Sequence, residues 1–332
     1  LSAPGGKLRV MKTILTGLAA LALAIPAHAQ EQAATAPSPN EIVAAAAPDE
    51  WVRIAPEDLL VMTLAPDADG NARQVVIQLM PPPFSQGWVH NIRLFARSGW
   101  YDGISVNRVQ DNYVVQWGDP NYDNPEATGA VKPLPEGLKV MGESDYKTNI
   151  IGDDLLKRSR MPDPYAGWTT FIEGWPVGAE IKTVHTRDYE AWPVHCYGMV
   201  GVGRNYSPDT GSGAELYTVI GHAPRHLDRN IALVGRVIEG MEHLSSLPRG
   251  KGELGFYADF EKDKRTPILS VRVASDIAQF PQPTFEYLNT ESESFARYAA
   301  ARANRRDAFF IVPAGGADIC NIPVPVRRVV SE

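Results

Sequence analysis

The chain predicts a mainly β, largely antiparallel fold, either a barrel or a sandwich. Three observations carry that prediction. Short apolar or alternating runs of strand length recur along most of the sequence. Turn residues separate them at intervals, with 28 Gly and 27 Pro among 332 residues. Only a few short stretches show helical periodicity. Periodicity alone does not choose between barrel and sandwich.

The first 29 residues stand apart from that fold. From Met11 a lysine and a short apolar core lead to Ala27-His28-Ala29. This is the order of a secretory signal peptide, with cleavage expected after Ala29 and residues 1–10 lying upstream of its start. The core is too short for a stable bilayer-spanning helix, and no later run is long enough either. The expected location is therefore the periplasm. Residues 30–50 are rich in Ala and Pro with little to bury, so a flexible tether is expected there.

Order is expected from Trp51. Leu59–Leu64 and Arg73–Leu79 read as strands joined through a turn at Asp69-Gly70. Between Ser85 and Arg97, Val89, Ile92 and Phe95 recur at helical spacing, with Ser85 as N-cap and Gly99 past the end. A hairpin follows in Ser105–Pro120. Residues 121–195 then lose the strand pattern. The stretch is too long for a structureless loop and is expected to fold as an insertion, with Trp168, Trp175 and Trp192 anchoring a small core. Strands resume at Tyr197–Val202, Ala214–Ile220 and Ile231–Ile238. A short amphipathic helix carries Met241, Leu244 and Leu247, and Ile268–Val273 closes a domain spanning 51–275. The extension 276–332 opens a helix at the capping-box pattern Thr290-x-x-Glu293, with Arg297, Arg302, Arg305 and Arg306 as its solvated face.

Composition excludes some functions. The chain is 44% hydrophobic and 21% charged with a net charge of −7. Signal removal would take Lys7, Arg9 and Lys12 and no acid, so the balance becomes more negative. No basic footprint for nucleic acid is visible. Cys196 and Cys320 could pair in an oxidising compartment or remain two thiols, since no spacing motif joins them. Gly211-Ser-Gly213 lacks nucleophile-elbow spacing, and there is no phosphate-binding glycine loop. His222 and His226 have metal-like spacing, but Pro224 spoils the helix that would aim both at one ion. No metal or cofactor is expected.

One residue breaks the pattern. Arg108 sits inside the apolar run Ser105-Val-Asn-Arg-Val109, close to Tyr113, Gln116 and Trp117. Strand parity puts it on the face of Val106. A two-residue Asp111-Asn112 hairpin would set it across from Val115, and Gln116 joins it only if the connection is longer or bulged. The bland reading is a surface arginine whose stem covers an apolar wall.

Three ordered blocks carry a family resemblance. Gly99–Pro120, GWYDGISVNRVQDNYVVQWGDP, resembles the G-Y-Y-D-G…F-H-R-V…F-M-x-Q-G-G-D-P core of cyclophilin-type peptidyl-prolyl isomerases. Gly213–Asp228 resembles that family's G-S-Q-F-F-I…P-x-L-D run, and Asn230–Met241 its V-F-G-R-V-x-x-G-M segment. The similarity covers about 57–120 and 196–274. It implies a closed eight-stranded antiparallel barrel capped by two helices, with no cofactor. It also implies a role for each matched residue: Arg108 as the catalytic arginine, and Gln116 as the glutamine that positions it. Tyr113, Val114, Tyr217 and Leu227 fall at positions of the proline pocket. Glu215 stands where the family usually has Gln, His226 where its best-known members have Trp, and Ile231 where they have His. The family's N-T-N-G-S-Q loop is replaced by Asn205–Gly213. A Glu215 carboxylate paired with Arg108 would compete for its charge.

The function expected is prolyl isomerisation of exported or periplasmic proteins, acting on exposed X–Pro segments of unfolded clients. The alternative is the same barrel as a weakly active or inactive peptide-binding chaperone or assembly protein. A hydrolase site in the insertion would have to come from Glu173, Glu180, His185 and Asp188. The simpler account of those four is a solvated polar surface.

Overall fold

The computed structural model describes residues 36–121, 129–151, 154–185, 187–278 and 283–329. The expected signal peptide, residues 1–29, lies outside the described residues. Eight strands form the central antiparallel sheet, numbered here in chain order. They are β1 Leu59–Leu64, β2 Arg73–Leu79, β3 Ser105–Val109, β4 Val114–Gly118, β5 Met199–Val202, β6 Leu216–Val219, β7 Leu233–Glu239 and β8 Ile268–Val273. Their order is β8-β1-β2-β7-β5-β6-β4-β3. Backbone bonds from Gly103 N–H to the Ile268 carbonyl (2.9 Å) and from Ile268 N–H to the Ile104 carbonyl (2.8 Å) bring the two ends together. The sheet is thus a nearly closed barrel, which settles the choice left open by periodicity.

The first strand shows why its sequence runs without polar breaks. Leu60, Met62 and Leu64 point into the main core with Val75, Ile77 and Leu79 of β2. Leu59 and Val61 face the other way and are covered by Ala274 and Phe285. Both faces are buried, so alternation disappears. Phe285 belongs to a separate three-stranded sheet in which Phe285–Leu288 pairs with Trp51–Arg53 and Val326–Arg328. The extension is therefore built onto the barrel, and Ala36–Glu332 forms one unit.

The helix Gln86–Arg97 packs Trp88, Val89, Ile92, Phe95 and Ala96 against the barrel, and a shorter helix, Glu242–Ser245, buries Leu244. Ser85 precedes the first as expected but makes no capping bond, because its φ of 56° turns it into the left-handed region. Thr290 is not the cap of the C-terminal helix. Ser292 is, its hydroxyl accepting from Phe295 N–H ahead of Glu293–Ala303. The expected tether is ordered in its described part: Ser38 caps a helix at Pro39–Ala44 whose Ile42 is buried. On the arginine face, Arg297 and Arg306 are exposed, but Arg302 donates to the Asn321 carbonyl and Arg305 pairs with Asp307.

The insertion folds as a second antiparallel sheet of Thr148–Ile151, Asp188–Pro193, Trp175–Thr183 and Trp168–Ile172, in that order. Trp168, Trp175 and Trp192 are buried. Hydrogen bonds from two barrel arginines hold the insertion in place. Arg236 of β7 donates to the Gly174 carbonyl at 2.8 Å, and Asp163 receives Arg225. Cys196, at the end of the insertion, is disulfide-bonded to Cys320 of the extension. Among the described residues no helix is long and apolar enough to cross a membrane.

Candidate active site

Arg108 reaches its place through two departures from a simple hairpin. The turn between β3 and β4 has three residues, Asp111–Tyr113, with Asn112 at φ 51°. That extra residue sets Arg108 opposite Gln116 and Val109 opposite Val115. A bulge between Val106 and Arg108 then resets the register, so Val106 pairs with Trp117. Val106, Val109, Val115 and Trp117 all face the core, leaving Arg108 and Gln116 together on the other face. The parity reading that put Arg108 on Val106's face fails because of this bulge.

The guanidinium is held on several sides. Its Nε donates to the Leu254 carbonyl at 2.7 Å, one terminal nitrogen donates to Gln116 Oε1 at 3.1 Å, and the other donates to Gln110 Oε1. The rings of Tyr113 and Phe256 lie 5.6 and 5.4 Å from its central carbon. Burial pulls its pKa below the ordinary arginine value, while Tyr113, Glu215 and Tyr217 pull it back. An arginine keeps its charge under such pressure. Of five N–H donors, three are engaged by these partners, which leaves one hydrogen on each terminal nitrogen for a ligand.

Arg108 and Gln116 open onto a cavity of about 480 Å³, whose wall also includes Tyr113, Val114, Tyr217, Leu227 and Ile231. Four of these residues, Tyr113, Val114, Tyr217 and Ile231, form one apolar cluster with Val219 behind them. A charged donor thus faces an apolar recess, an arrangement suited to a ring attached to a polar backbone.

Two expected contact residues lie elsewhere. Glu215 is buried beneath the floor, where its carboxylate accepts from Gln116 Nε2 at 2.8 Å. Gln116 bridges the carboxylate to Arg108, and the Glu215 charge also acts on the guanidinium. His226 is exposed and stacks on the outer side of Tyr113, with ring centroids 6.4 Å apart. The altered loop Asn205–Gly213 is fixed from the Gln86–Arg97 helix: Trp88 Nε1 donates to the Gly211 carbonyl at 2.9 Å and Asn91 to that of Ser212 at 3.0 Å.

Sequence reasoning missed five lining residues, Asn121, Gly203, Arg204, Leu254 and Phe256. Leu254 and Phe256 come from the segment before β8, where no periodicity marks them. Glycine at 203 had a readable cause only in three dimensions, since a Cβ there would meet Glu215 Cβ at 2.8 Å. In the insertion, Glu180 lies 3.6 Å from Arg229, and none of Glu173, Glu180, His185 and Asp188 lines this cavity.

Residues 74–273 match the family profile described as cyclophilin type peptidyl-prolyl cis-trans isomerase. Among solved structures, a cyclophilin from Hirschia baltica is similar with a TM-score of 0.61 and 21% identity, over 85% of this chain and 94% of that one. A cyclophilin type peptidyl-prolyl cis-trans isomerase from Cryptosporidium parvum aligns at a TM-score of 0.37 and 11% identity, over 66% of this chain and 99% of that one. No curated protein matches the chain.

Proposed function

Because the chain belongs to the cyclophilin-type peptidyl-prolyl cis-trans isomerase family, we propose that Arg108 drives X–Pro rotation in exported polypeptides. Amide resonance places a barrier of about 18–20 kcal/mol in the way of that rotation. A free guanidinium hydrogen aimed at the prolyl nitrogen favours the twisted, deconjugated amide, in which that nitrogen regains its lone pair. The apolar walls strengthen this attraction by excluding water. Gln116 fixes the guanidinium and is itself in reach of a substrate carbonyl. The prolyl ring sits in the recess of Tyr113, Val114, Tyr217, Leu227 and Ile231. No bond is made or broken.

The observation that carries this reading is a half-buried arginine with hydrogens to spare at the mouth of an apolar recess. Export is supported by the signal-like N-terminus, and an oxidising compartment by the Cys196–Cys320 bond. The clients would then be exposed X–Pro segments of proteins folding in the periplasm. A weakly active peptide-binding platform is favoured by one feature only: Gln110 and Leu254 already occupy two Arg108 donors.

Cis-to-trans isomerisation of short X–Pro peptides, measured for the wild type and Arg108→Ala, separates the two readings. Catalysis that falls at least about 100-fold in the variant supports the arginine mechanism. Peptide binding without catalysis by the wild type supports the platform. Cell fractionation with sequencing of the processed N-terminus tests export.

A further inference from the structure

Tyr217 contributes a ring to the recess, yet a buried phenol needs a partner for its hydroxyl. That partner lies behind the wall. Tyr217 Oη is 2.9 Å from Nε2 of His195, a residue with no solvent exposure. His195 Nδ1 in turn lies 2.9 Å from Asp228 Oδ1, which also accepts the His195 backbone N–H at 2.9 Å. An ionised carboxylate only accepts, so Nδ1 carries the ring proton. Burial lowers the pKa of His195 and keeps the ring neutral, so Nε2 is a bare acceptor. The Tyr217 hydroxyl therefore donates away from the recess.

The remaining groups hold this arrangement in place. Asp228 Oδ2 accepts from Arg225 Nε at 2.7 Å. The two terminal nitrogens of Arg225 grip Asp163 of the insertion at 2.8 and 2.9 Å, and Asp318 of the extension lies 3.8 Å away. Arg225 and Asp228 also bracket the turn that carries Leu227, another wall residue. On its other side Tyr217 lies over Gly201, where a Cβ would meet the ring at 2.3 Å.

We propose that His195 is a positioning residue for the proline recess: it draws the Tyr217 hydroxyl inward, so that the substrate meets only the apolar ring. The insertion and the extension complete this device through Arg225. The inference rests on the recess being the proline site, as read above.

The test is a double-mutant cycle with X–Pro peptides. His195→Leu leaves the hydroxyl without its acceptor and is expected to raise KM about tenfold, with kcat changed less. In the Tyr217→Phe background the same change is expected to alter KM less than about twofold. Equal effects in both backgrounds overturn the positioning role. Should His195→Leu not fold, ¹⁵N shifts of the wild-type imidazole at neutral pH decide instead. A neutral ring protonated at Nδ1 is expected, and an imidazolium or an Nε2–H ring overturns the proposal. If the wild type binds X–Pro peptides without turning them over, Kd replaces KM in the cycle. A wild type that neither binds nor isomerises them overturns the proline-site reading together with the inference.

Discussion

The Gln116 amide donates to the buried Glu215 carboxylate at 2.8 Å, and that bond settles which way the amide faces Arg108. A carboxylate can only accept, so Nε2 must point at Glu215 and Oε1 at the guanidinium. The acid that sequence comparison makes a competitor for the arginine instead orients its partner.

Glu215→Gln is therefore expected to keep most of the activity, since its amide oxygen can accept the same bond. Glu215→Leu strips the buried amide of that acceptor and is expected to lower kcat/KM by about tenfold. Steady-state kinetics of the two variants side by side check this.

Arg108→Lys is expected to lose nearly as much as Arg108→Ala. A lysine keeps the charge but cannot donate at once to the Leu254 carbonyl, Gln116 and Gln110 while offering hydrogens to a substrate. Peptide isomerisation with both variants at matched stability is the measurement. Recovery of most activity in the lysine variant would show that charge alone suffices.

Stability should decline in mild acid because of His195. Burial lowers its pKa from the usual 6.5, against the opposing pull of Asp228. The unfolded chain binds a proton below about pH 6.5 that the folded one resists. The contribution is complete above that pH. It is lost as the pH falls towards the lowered folded value, at up to about 1.4 kcal/mol per pH unit. Urea unfolding across that window should give a shallower slope for His195→Leu.

Breaking the Cys196–Cys320 bond, which links residues 124 apart in sequence, is expected to cost about 2–4 kcal/mol. Cys320 lies on the extension and Cys196 beside His195, so the loss should also loosen the wall behind Tyr217. Thermal melts of Cys320→Ser against wild type, with and without reductant, test both parts. The variant should be indifferent to reductant.

Much of the barrel was legible from local sequence. β1, β2 and β8 coincide with the runs at Leu59–Leu64, Arg73–Leu79 and Ile268–Val273, because hydrophobic pattern and length both report burial there. The arginine and its glutamine were found through a motif. Their pairing was left conditional, because it depends on a three-residue turn, and their facing away from the core on a bulge at Asn107, neither of which any period encodes. Ser85 does hold the N-cap position, but its side chain makes no capping bond, since its backbone turns left-handed. Phe256 and Leu254 were invisible for another reason: a wall assembled from distant segments leaves no spacing to read. The same holds for His195, whose partners are Asp228 and Tyr217.

Arg225 has a consequence for descent. Its guanidinium is shared among a barrel turn, the insertion and the extension, through Asp228, Asp163 and Asp318. A lineage that discarded the insertion alone would take away Asp163, the partner of both terminal nitrogens of Arg225, and leave Asp228 as its one close carboxylate. Relatives lacking the insertion should therefore carry a neutral residue where this chain has Arg225. The two additions are thus tied to the barrel, and to each other, through one side chain.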